Sequence, residues 1–185
     1  MDLLGHSDPT MLKELEEFTG YDFRNIKFND SDLYKAILDT KYLNLKDENI
    51  IYPFNANTTA ISEMNTEFAM QTLKDMRVKS MYELIAFSAI THGKMVLESQ
   101  KEYILEGKPL TDLVTYRDII FQQLTYKYGF EPKTAFLVSE NVRKGKGIEK
   151  FKKELLEKCP NWYVEILDSI TYLFPKAHAT AYIIN

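Results

Sequence analysis

Segment after segment of this chain places its apolar residues at three- and four-residue intervals, and most such segments stop at a glycine. That is the period of a helix with an apolar stripe, and glycine readily closes one. No stretch alternates polar with apolar residues long enough for a useful strand. In DPTMLKELEEFTG (8–20), Asp8 is placed to cap a helix, Pro9 to take its first position and Gly20 to follow its end. SDLYKAILD (31–39) sets Leu33, Ile37 and Leu38 on one face, and TEFAMQTLKDMR (66–77) carries Phe68, Met70, Leu73 and Met76. Ser80 and Glu83 form a capping box ahead of ELIAFSAITHG, which Gly93 ends. Residues 96–107, 116–129, 132–145 and 161–174 repeat the theme, and another helix follows Pro175. IIYPFNANTT (50–59) reads as a loop. The expected fold is all-α, with roughly eight to ten helices. Asp2-Leu3-Leu4 reads as the end of a strand cut off at its start.

Composition narrows the function classes. With 45% apolar residues, including 12 Tyr and 11 Phe, the chain can fill a core. Lys and Arg number 23 against 27 Asp and Glu, a net charge of −4. Nucleic-acid binding would therefore have to rest on a local patch, not on the whole surface. The single cysteine, Cys159, allows no internal disulfide, which fits a reducing, cytoplasmic setting. Neither a secretion signal nor a membrane span is expected, since no basic leader and no long apolar run occurs.

Phosphate-cradling glycine motifs and the nucleophile elbow are absent. His6, His92 and His178 lie far apart, with no spacing that suggests zinc. Cys159, just before Pro160, reads as a packed thiol. The stretch VRKGKGIEKFKK (142–153) is different: it gathers six basic residues around two glycines. A helix ending near Lys144, followed by another from Gly147-Ile148, would set Arg143, Lys144 and Lys146 on a glycine turn. Such a turn suits a polyphosphate or a nucleic-acid backbone. The plain alternative is a helix C-terminus whose cations complement its dipole, with Lys150, Lys152 and Lys153 on a solvated face. FPKAH (174–178) poses the same choice. Lys176 and His178 sit just inside a helix start, where outward amides favour anions; otherwise they are a surface lysine and a half-buried histidine beside a core Phe174. A lone Asp2 is, on its own, a cap or a solvent group.

DLLGHSDPTM, ISEMNTEFAMQTL, AFSAITHG, YRDII, ENVRKGKG and LFPKAHATAY occur in this order. With these motifs the chain resembles the replicative C-family DNA polymerases, the catalytic alpha subunit of bacterial DNA polymerase III in its PolC type, over essentially its whole length. The resemblance implies that residues 1–7 are the edge of a palm domain. It makes residues 8–185 a fingers domain, curtailed at its C-terminus, of a longer enzyme. It implies Mg2+-assisted nucleotidyl transfer, in which a primer 3′-hydroxyl attacks the α-phosphate of a dNTP and palm aspartates hold two metal ions. Asp2 matches the third of those aspartates, a catalytic and metal-binding position; the other two would lie upstream. The fragment alone is therefore expected to hold no Mg2+ and to be inactive. By motif position Arg143, with Lys144 and Lys146 beside it, should meet the β- and γ-phosphates. Lys176 and His178 should reach the same triphosphate, with Phe174 near the base. His92 in THG and Arg117 in YRD match further motif positions. Ser7 departs from the pattern, since relatives usually carry two acidic residues after that histidine. The implied partners are the incoming dNTP, primer–template DNA, the rest of the polymerase chain and replisome subunits, with no membrane. The alternatives are a stand-alone helical module that binds nucleic acid or anions without catalysis, and a helical scaffold with no ligand.

Overall fold

A computed structural model describes residues 7–27, 30–39, 42, 58, 61 and 63–184. The strand stub at residues 2–4, Asp2, His6 and most of the 50–59 loop lie outside the described residues. Among the described residues the fold is all-α, as the periodicity predicts, with eleven α-helices and no strand. No helix among them is long and apolar enough to cross a membrane.

Helix α1 (Asp8–Thr19) is capped one residue earlier than expected. Ser7 takes the N-cap position without a side-chain bond, and Asp8 opens the first turn. Helices α2 (Ser31–Leu38) and α3 (Glu67–Met76) follow. The capping box ahead of α4 (Met81–Thr91) is present: the Ser80 hydroxyl accepts from Glu83 N–H, and the Glu83 carboxylate reaches back to Lys79 N–H. Every residue of α4 from Leu84 to Ile90 is buried. A helix apolar all round must lie inside the molecule, and α4 is the central one.

Two expected helices depart from a regular α-helix, one broken and one widened, each at a buried glutamine. Residues 96–107 form α5 (Lys94–Glu98) and α6 (Lys101–Leu105) instead of one helix. Gln100, fully buried at the break, donates from Nε2 to Val96 O at 3.0 Å and Val114 O at 2.9 Å, and accepts Val114 N–H at 2.7 Å. Likewise α7 (Arg117–Gln122) runs on as a π-helical turn over Gln123–Lys127. There Gln123 Nε2 donates to Thr111 O at 2.8 Å and Leu113 O at 3.2 Å. The 111–114 connection has no backbone ladder of its own, so side-chain amides satisfy its buried peptide groups.

Helix α8 (Pro132–Arg143) packs along α7. A short 3-10 turn (Glu149–Phe151), α9 (Lys152–Lys158) and α10 (Asn161–Ser169) follow. Finally α11 (Lys176–Ile184) returns to lie along α4. One large apolar cluster holds most of the core. A smaller one joins Ile85 and Ala89 of α4, Tyr116 and Ile119 at the start of α7, and Ala179 of α11. That second cluster fixes the three helix ends on which the motif residues stand.

Candidate functional site

The basic turn is set by a helix ending. At the C-terminus of α8, Gly145 N–H bonds Val142 O at 3.0 Å and Lys146 N–H bonds Asn141 O at 2.9 Å. This crossed pair closes a helix on a left-handed residue, and Gly145 supplies it with φ +61°. A Cβ at position 145 would stand 2.8 Å from Thr171 O. Glycine thus lets the turn rest directly on the backbone of the segment 170–175, which leads into FPKAH.

The charges of this turn are not all free. Glu140 lies one helical turn back and takes the guanidinium of Arg143 in a two-pronged bond, Nε to Oε1 at 2.9 Å and Nη2 to Oε2 at 2.8 Å. Lys144 Nζ stands 3.1 Å from the same Oε2. The bonds from Arg143 and then Lys144 hold the Glu140 carboxyl down at about 2. Lys146 and Lys150 are exposed. Lys152 pairs with Glu149 at 3.2 Å and Asp168 at 3.0 Å, so that part of the run is a solvated, paired face.

The FPKAH end joins the YRD motif through two backbone N–H donors, one bonded to a carbonyl and one to a carboxylate. Arg117 N–H donates to Phe174 O at 3.0 Å, and Lys176 N–H donates to Asp118 Oδ2 at 2.8 Å. The first amide of α11 is therefore already satisfied by a carboxylate. The Lys176 side chain lies 5.8 Å from the Tyr82 ring centroid and 5.5 Å from that of Tyr116. Burial, and then a mutual hydrogen bond, raises the Tyr116 hydroxyl well above its usual range, so the ring pair stays neutral beneath the ammonium. The Arg117 guanidinium is 3.9 Å from Asp118.

Phe174 is half-buried in a ring cluster. His92, at the end of α4, lies 4.6 Å from it, His178 4.8 Å and Tyr172 5.4 Å between centroids. His178 also stacks on Tyr182 at 4.7 Å. Glu63, in the turn ahead of α3, reaches His92 Nε2 at 2.9 Å. Among the described residues, Glu63, His92 and His178 form the group able to converge on a metal ion. With a single carboxylate it does not fit a two-Mg2+ centre, and Asp2 lies outside the described residues.

The expected residues thus form two groups. Arg143, Lys144 and Lys146 sit on one turn; Arg117, Phe174, Lys176, His178 and His92 surround the start of α11. The segment 170–175 touches both. Between α7 and α8 a cleft of about 390 Å³ is lined by Arg117 and Asp118, by Glu140, and by Phe121, Tyr126 and Phe136. The sequence reading missed Glu140, Asp118, Glu63 and the Tyr82–Tyr116 pair. Glu140 was detectable, since it stands at i−3 and i−4 from Arg143 and Lys144. Asp118 sits inside the YRD motif itself. Glu63 has no local signal, because its partners come from distant parts of the chain. Cys159 is buried, and burial lifts its thiol to about 12, so it is the packed residue expected.

Residues 8–161 match the family described as the bacterial DNA polymerase III alpha subunit finger domain. The FPKAH end lies beyond that match but within the similarity to whole relatives. The chain is 41% identical over 189 residues to the DNA polymerase III PolC-type of Ureaplasma parvum serovar 3, covering 100% of this chain and 13% of that protein. It is 40% identical to the PolC-type enzyme of Thermotoga petrophila, over 99% of the chain and 14% of the relative. The corresponding protein of Oceanobacillus iheyensis is 37% identical, over 100% and 13%. The chain therefore spans about one-eighth of the length of the curated relatives it matches.

Proposed function

The chain belongs to the bacterial DNA polymerase III alpha subunit finger-domain family, and from that premise we propose that it is the part of a PolC-type replicative polymerase that receives the triphosphate of the incoming dNTP. Arg143 offers its fork to the β- and γ-phosphates, with Lys144 and Lys146 as mobile charges beside it. Lys176 and His178 approach from α11, and Phe174 presents its ring to the base. The observation that carries this reading is that one backbone segment, 170–175, bears on both the Gly145 turn and the start of α11. Two groups remote in sequence are thereby held in one neighbourhood.

In this reading the chain binds and orients, while metal-assisted transfer depends on carboxylates outside the described residues, Asp2 among them. Primer–template DNA, the remainder of the polymerase and the replisome are its partners, in the cytoplasm. The 185-residue chain alone is expected not to extend a primer.

Single-turnover incorporation by the polymerase that contains this segment tests the assignment. Arg143→Ala and Lys176→Ala should each weaken dNTP binding about tenfold or more, the worth of one charge-assisted hydrogen bond. Affinity for primer–template should stay the same. If both variants keep the parental dNTP dependence, the triphosphate is bound elsewhere.

A further inference from the structure

We propose that Glu63, His92 and His178 form a site for one divalent cation of the zinc class. The inference stands on the geometry of three side chains and does not need the nucleotide reading.

His92 Nδ1 meets the carbonyl oxygen of Ser88 one turn back in α4. A carbonyl only accepts, so Nδ1 carries the hydrogen. The other ring nitrogen, Nε2, then faces Glu63 Oε2 at 2.9 Å. These are two potential ligand atoms facing each other, bridged either by a proton carried on one of the two residues or by a metal ion.

The third residue favours the metal. A proton bridge needs only His92 and Glu63. Yet His178 stands edge-on to His92 at 6.0 Å between ring centroids, and one ligand atom from each of the three residues lies within 4.8 Å of the others. Ligand bonds of about 2.1 Å set neighbouring donors roughly 3–3.4 Å apart. Closure thus needs side-chain shifts of about an ångström or so, within ordinary rotamer freedom. The outer contacts are also those of a metal site. A bond from Nδ1–H to a backbone carbonyl orients a ligating histidine, and Phe174 and Tyr182 both pack against the His178 ring. Glu63 itself has φ +62°, a strained conformation for glutamate.

Two imidazoles and one carboxylate select zinc, cobalt or nickel over magnesium. Three protein ligands leave a fourth position for water or an anion. The cation would tie together the turn ahead of α3, the end of α4 and the first turn of α11.

The probe is Co2+ alone, titrated into the full 185-residue chain after chelator treatment, without nucleotide. One equivalent should produce the visible absorption bands of four- or five-coordinate cobalt, and Zn2+ should abolish them. His92→Gln, His178→Gln and Glu63→Gln, each checked for native helicity, should weaken binding by about tenfold or more. Absence of the bands, or bands that survive in both histidine variants, overturns the proposal. Should a variant fail to fold, the parental chain still decides. Zn2+ should shield His92 and His178 from acylation by diethylpyrocarbonate, read by mass spectrometry, and unshielded histidines overturn the site.

Discussion

At the scale of single residues, Glu140 governs the basic turn. Its carboxylate occupies the fork of Arg143 and the ammonium of Lys144, the seat proposed for phosphate oxygens. On that proposal, an incoming dNTP would have to displace it. Glu140→Gln should therefore tighten triphosphate binding several-fold, measured with a fluorescent dNTP; weaker binding would mean that Glu140 holds Arg143 in its productive pose. The same residue gives a pH signature. The folded carboxyl is held below its ordinary 4.5, at about 2, so its contribution is present above that ordinary value. It is lost as pH falls from 4.5 towards 2. Melting curves of parent and Glu140→Gln should converge across that interval. The pair was readable from helical spacing, whereas Glu63 could not be placed by any local rule.

At the scale of elements, caps proved legible and breaks did not. Ser80 with Glu83, and Gly145 after α8, announce their boundaries because the residues that end a helix are its sequence neighbours. The break at Gln100 and the π-turn at Gln123 are set by the distant 111–114 peptide groups, and a buried glutamine has the same letter as an exposed one. The same distinction separates two glycines. At Gly93 an added Cβ would meet a close sequence neighbour, Val96, at 2.9 Å from Cγ2 and 3.3 Å from Cβ. At Gly145 it would meet backbone, Thr171 O at 2.8 Å, from a left-handed conformation. Gly145→Ala should cost about 1–2 kcal/mol for the conformation alone, and more for the displaced backbone. The loss should appear both in thermal stability and in dNTP affinity. A variant that melts lower yet binds normally would uncouple the turn from the 170–175 segment.

At the scale of the whole molecule, α4 carries both apolar clusters, Phe87 in the larger and Ile85 with Ala89 in the smaller. Phe87 is completely buried, and Phe87→Ala should cost about 3–5 kcal/mol. In urea the midpoint should fall with an unchanged slope; a second transition would show that the α4–α7–α11 junction unfolds by itself. The periphery differs. Helix α1 has no buried residue and exposes Met11, Leu15 and Phe18, in a chain that spans only 13% of its Ureaplasma relative. The Glu140 clasp has a consequence at this scale too. With a net charge of −4 and its strongest cation already matched, the chain does not advertise the turn to passing anions. Chloride or a lone carboxylate gains nothing by exchanging places with Glu140. On the proposed reading, the seat would pass only to a ligand that brings more negative oxygens than one side chain can, so the turn would sort its visitors by valence.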